Sequence, residues 1–145
     1  MSNRLLISGI VVFLGALLVV VPRFVLPPCS VLVETASGMH IPMKCHWSGQ
    51  MAMGLGLFVM FEGILLGMMK SVFARLGLSL VVMATAVLTM AVPTILIGVC
   101  AGSTMPCRVG MLPAVLVICV LLFLAGIGNV FYLRAHKESQ TAFQS

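Results

Sequence analysis

Charged side chains are scarce: Asp and Glu together number 3, Lys and Arg 8, and the four types make up 8% of the 145 residues, against roughly a quarter in soluble globular domains. That shortage excludes an ordinary water-facing surface. No stretch between the apolar runs is long enough to build a soluble core of its own. The phosphate-cradling pattern G-x-x-x-x-G-K-[ST] is missing, so the chain carries no P-loop with which to power transport. Also missing are a C-x-x-C pair, an H-x-x-x-H pair, a Ser/His/Asp set and paired carboxylates, which removes the usual hydrolase and zinc-helix signatures. The net charge of +5 comes from Lys and Arg placed singly between apolar runs. They read as topology markers, and nucleic acid is excluded as a partner.

Apolar residues fill the space the charges leave, at 61% of the chain with a mean hydropathy of +1.24. Four runs stand out, at about 5–26, 47–69, 76–99 and 111–133, each near the ~20 residues that cross a bilayer as helix. A lipid-exposed backbone must satisfy its own hydrogen bonds, and the short alternating segments of a barrel are absent. The sequence therefore predicts an all-α polytopic membrane protein: a single four-helix transmembrane domain over 1–145, with the lipid bilayer as its first partner. The first run lacks an A-x-A cleavage pattern after Arg4 and its apolar stretch, and is expected to be an uncleaved anchor. Arg4, Lys70, Arg75, Arg134 and Lys137 lie on the side of the termini, against Arg23, Lys44 and Arg108 on the other. By the positive-inside rule the N and C termini are expected to be cytoplasmic and the two long loops external.

An internal echo organises the chain. The first run ends VPRFVLPPC and the third VPTILIGVC, so Pro22 to Cys29 has the spacing of Pro93 to Cys100. Each following loop closes on Met-x-Cys, as Met43-Lys44-Cys45 and Met105-Pro106-Cys107. Ordered recurrence of this kind predicts two pseudo-repeated helical hairpins related by an axis along the membrane normal, with their loops together at one face. His40, His46 and Trp47 have no counterparts in the second loop.

The stretch MHIPMKCHW, residues 39–47, concentrates ligand chemistry. His40, Met43, Cys45 and His46, with Met105 and Cys107 from the second loop, offer imidazole, thiolate and thioether donors suited to a transition metal such as copper, zinc or iron, or to haem. Cys29, Cys45, Cys100 and Cys107 are disulfide candidates in an oxidising compartment, and the three possible pairings remain open. A structural reading has disulfides pinning the loops and Trp47 anchoring the second helix in the headgroups. A redox reading has Lys44 and His46 activating Cys45. The four-helix layout with two cysteines per loop is similar to the quinone-linked disulfide-generating enzymes of the DsbB and vitamin K epoxide reductase type, although the cysteines here are not spaced C-x-x-C. Cys119 lies inside the fourth run and reads as a small apolar core residue.

Within the apolar runs Glu62 is the one acidic residue. At a cost of about 2.5–3.5 kcal/mol for a charged group at mid-membrane, it is expected to face the bundle, to be neutral, or to pair. Asn129 is its candidate partner in an interhelical hydrogen bond, and proton or cation handling, or docking to a polar group on another protein's helix, are the alternative roles. Gly63 and Gly67 form a small-xxx-small face that permits close helix packing, within the chain or against a partner helix.

The block MKCHWSGQMAMGLG, the cysteine in each loop and the MPC before the last run resemble an uncharacterised family of small four-helix bacterial membrane proteins, a domain of unknown function. Met43, Cys45, His46 and Trp47 carry the likeness most specifically, and Gln50-Met51-Ala52 stands where the pattern implies an acidic residue. The resemblance implies an accessory role in the bacterial cytoplasmic membrane beside an ABC transporter permease of the macrolide-exporter type. The expected function is thus an integral membrane accessory subunit with external Cys/Met/His loops able to bind metal or haem. Its alternatives are a quinone-linked thiol-disulfide oxidoreductase and a structural helix-bundle partner with disulfide-pinned loops.

Overall fold

In the computed structural model the apolar runs form four long helices: α1 (Ser2–Val20), α2 (Lys44–Met68), α3 (Val72–Ala91) and α4 (Leu112–Ala142). The structure describes residues 2–25, 32–34, 40–42, 44–98 and 107–142, and side chains over 4–25, 46–98 and 108–135. With the turns that adjoin them, the four helices make spans apolar and long enough to cross a bilayer, from 22 residues at Arg4–Val25 to 28 at Arg108–Ala135. The expected all-helical, multi-pass architecture is present.

Interior and exterior are both apolar, unlike those of a soluble protein. Phe13, Phe58, Phe61, Leu88 and Leu124 point outward, while Leu14, Leu18, Val59, Val82 and Leu122 form the interior. At most 39% of any span's apolar window is buried, so most of each helix surface is left to face lipid. Such an apolar exterior is stable only where hydrocarbon replaces water.

Without a hydrophobic force between helices in lipid, close packing has to supply the association. α1 and α2 do this with glycine. A Cβ at Gly15 would lie 2.9 Å from the Met60 backbone nitrogen and 3.0 Å from the Gly56 carbonyl oxygen, and one at Gly63 would lie 2.8 Å from Val12 Cγ2. The backbones therefore touch at positions only glycine can fill. The pairings of Ser8 with Gly67, Val12 with Gly63 and Leu18 with Gly56 run antiparallel. α3 packs on α4 through Gly126, which lies under Met83. Contacts of α1 with α4 and of α2 with α3 complete a four-membered ring in which α1 and α3 sit diagonally.

The two ends of the bundle differ. At one end α2 and α3 join through the short connection Met69–Ser71; this is the turn end. At the other, the loop end, three helix termini widen into π-helical turns: Val21–Val25 after α1, Val92–Leu96 after α3 and Cys107–Met111 before α4. Proline supplies the reason. It lacks an N–H and its ring clashes with the carbonyl four residues back, so a wider turn relieves the conflict. Pro22 and Pro93 are each the second residue of such a turn, and Pro113 follows the third by two residues. Beyond Pro93 the Ile97 N–H reaches back to Val92 O at 3.0 Å, Thr94 Oγ1 donates to Met90 O at 2.8 Å, and Gly98 ends the helix at φ +76°.

Between α1 and α2 the chain forms a two-stranded antiparallel ladder, β1 (Leu32–Glu34) with β2 (His40–Pro42). Its register sets Val33 opposite Ile41 and Glu34 opposite His40.

Candidate functional site

Alternating helix directions carry the described parts of the ligand-rich segments to the loop end. His40 opens β2, Cys45 lies in the first turn of α2, and Cys107 opens the third π turn; the side chains of these three lie outside the described residues. Cys29, Met43, Cys100 and Met105 lie outside them altogether. Among the described residues no three His, Cys, Asp or Glu side chains come together. The ladder contributes one residue the sequence reading passed over: Glu34 shares a register position with His40.

His46 and Trp47 are described, and they form the rim of this face. Trp47 is 58% exposed at the start of α2, where an amphipathic indole anchors a helix at the bilayer boundary. The His46 ring meets it edge-on, centroids 6.1 Å apart and planes at 86°. One residue further, Ser48 turns inward, fully buried, and its Oγ has no hydrogen-bond partner. Arg23 is exposed beside Pro22 on the first π turn.

The interior is more polar than its apolar lining suggests, and most of its polarity hangs on α3. Ser79, Thr85 and Thr89 are buried on one face with Val82 and Ala86, at the i, i+3, i+7 type of spacing that defines a helix stripe. Glu62 is 2% exposed, and Thr85 Oγ1 donates to its Oε1 at 2.9 Å. Thr85 has one hydroxyl proton and a second acceptor, Val81 O, also at 2.9 Å. Glu62 Oε2 is buried with no partner. Asn129 is separate: its Nδ2 donates to Ser79 Oγ at 2.7 Å, and Ser79 Oγ donates to Arg75 O at 2.7 Å. Six residues along α3, or about 9 Å of helical rise, divide the two attachments. Asn129 is thus not the described partner of Glu62, and a burial this deep leaves Glu62 no route to another protein's helix.

Gly63 and Gly67 likewise turn inward. Ser8 Oγ donates to Gly63 O at 2.6 Å, and a Cβ at Gly67 would lie 2.7 Å from Ser8 Oγ. Their small-xxx-small face is spent on α1 and is not open to a partner. Cys119 has no exposed surface and belongs to the apolar core. The polar partners Ser8, Ser79 and Thr85 went unnoticed at the level of sequence, although the spacing of hydroxyls along α3 was the readable signal.

A four-helix polytopic membrane protein with a glycine-packed interior and an irregular, π-turned loop end is the class that the fold defines. The chain belongs to a family described as a domain of unknown function (DUF4418), which matches residues 11–132. No curated protein and no solved structure matches it.

Proposed function

We propose that this chain is an integral membrane accessory subunit of an ABC-type transport system in the bacterial cytoplasmic membrane, and that its loop end binds a transition metal or haem on the external side. The observation that carries the reading is the asymmetry of the bundle. Regular, glycine-tight helix packing fills the span, while the irregular backbone of three π turns lies where the Cys, His and Met segments emerge, and π turns recur at functional sites. The donor set of His40, Met43, Cys45, His46, Met105 and Cys107 has the softness a copper, zinc or iron centre takes. A bound ion or haem would supply ligand exchange or electron transfer at that face, while the chain's own residues hold and orient it. Equal turns at the two Val-Pro sites support the two-hairpin repeat, and the bias of Arg and Lys toward the turn end supports external loops. In that compartment, pairs among Cys29, Cys45, Cys100 and Cys107 would be oxidised when no ion holds them.

The test is purification of the tagged chain from its native membrane with metal and haem quantified and co-purifying proteins identified, for wild type, Cys45→Ser and His46→Ala. Stoichiometric metal or haem in the wild type, lost in both variants, with an ABC permease in the same fraction, is expected. A metal-free and haem-free wild type sinks the ligand site, and a fraction without transporter components sinks the accessory role. Quinone-dependent thiol oxidation abolished by Cys45→Ser would replace both with the oxidoreductase reading.

A further inference from the structure

At the turn end, two arginines have no carboxylate partner among the described side chains. Arg4 is the third residue of α1 and Arg75 the fourth of α3, so both lie in the opening turns of helices diagonal in the ring. Both are half-buried, and the Nε of each is shielded from solvent with no hydrogen-bond partner. Arg75 lies within electrostatic reach of Arg4 and, on the other side of the charge balance, of the Tyr132 hydroxyl. Like charges brought together and partly desolvated are unfavourable unless an anion joins them.

The described side chains do not provide one. Of the three acidic side chains in the sequence, Glu34 is in the loop-end ladder, Glu62 is bound to Thr85 deep in the bundle, and Glu138 is on the turn-end part of α4 but beyond the described side chains. Neither helix has an acidic residue in its first turn, and Ser71 makes no side-chain cap at the start of α3. The positive ends of two helix dipoles therefore add to the two guanidiniums. Lys70 and Arg134 are exposed at the same end.

We infer that Arg4 and Arg75 form a binding site for the phosphate of an anionic phospholipid headgroup. The surroundings select a lipid over a free anion. Leu5, Leu6 and Phe73 flank the two arginines and are 62%, 55% and 71% exposed, which supplies an acyl-chain surface beside a phosphate site. Guanidinium is also the cation whose fork fits phosphate oxygens in pairs. Basic pockets between membrane helices hold acidic headgroups by the same chemistry.

The experiment is native mass spectrometry of the full chain released from nanodiscs containing phosphatidylglycerol and phosphatidylcholine in equal amounts. Wild type is expected to retain phosphatidylglycerol over phosphatidylcholine by at least about tenfold, as two cations at an interface should. Arg4→Gln with Arg75→Gln should bring the ratio close to one, Arg4→Lys with Arg75→Lys should keep part of it, and Arg134→Gln and Glu138→Gln should leave it unchanged. Equal retention of the two lipids by wild type overturns the site whether or not the glutamine variant folds. Displacement of phosphatidylglycerol by millimolar inorganic phosphate overturns the lipid assignment in favour of a free-anion site. Loss of selectivity in Arg134→Gln alone would mean a diffuse surface charge and would also overturn it.

Discussion

Removing Thr85's hydroxyl should harm the protein more than removing Glu62's carboxyl, although the carboxyl is the costlier group to place in a membrane. The reason is how each is bonded. Replacing Glu62 by Leu leaves Thr85 with its bond to Val81 O at 2.9 Å, so no polar atom is stranded. Replacing Thr85 by Val leaves Glu62 with neither oxygen bonded, because Oε2 already lacks a partner. An unsatisfied buried polar group costs about 1–3 kcal/mol, and single interhelical bonds in membranes measure about 0.6 kcal/mol with a ceiling near 1.7. Thr85→Val should therefore cost about 1–2 kcal/mol, a roughly 5- to 30-fold shift in the folded-to-unfolded ratio, and Glu62→Leu less than about 0.5 kcal/mol. The double variant should track Glu62→Leu, since nothing polar remains to strand. Reversible unfolding in bicelles, followed by steric trapping, measures all three against wild type. A Glu62→Leu variant less stable than Thr85→Val, or a double variant as unstable as the sum of the two, would refute the bonding scheme and give Glu62 a partner other than Thr85.

Gly63→Ala should destabilise by about 1–3 kcal/mol, because its Cβ would press on the Val12 backbone nitrogen at 3.0 Å, whereas Gly54→Ala, with nothing within 4 Å, should be neutral or slightly stabilising in the same unfolding assay. Cys119, with 0% exposure, should resist a membrane-permeant maleimide in the folded protein and react fully once it unfolds; labelling at the rate of an unfolded control would contradict its placement. Trp47, the sole Trp, should be quenched more strongly by headgroup-linked spin labels than by labels at the acyl-chain ends, and the reverse order would move the start of α2 into the hydrocarbon.

The four helices were legible because length and apolarity suffice where every backbone group must bond internally. What hydropathy does not carry is helix rotation, and rotation decides most of the chemistry. Gly63 and Gly67 were visible as a packing face, but whether they met α1 or another protein depended on Ser8 and Val12 lying opposite. Glu62 and Asn129 were matched by depth alone; the hydroxyls of α3 intervene and take each separately. The ladder at Leu32–Glu34 and His40–Pro42 was missed because its strands are three residues each, too short for alternation to register, though Leu and Val before Glu34 and Gly38 between the strands were its local signals.

Each π turn also acts as a phase shifter. One residue beyond the α-helical count advances the chain by about 100° around the axis, so the segment joined to the helix through the turn meets the bundle from a direction the helix face does not predict. Three such shifts gather at one end and none among the described helix termini at the other. The aim of the loops is therefore set independently of the helix interfaces: deleting one residue from Val92–Leu96 would swing the segment leading to Cys100 by more than a quarter turn while leaving the α3 interior in register.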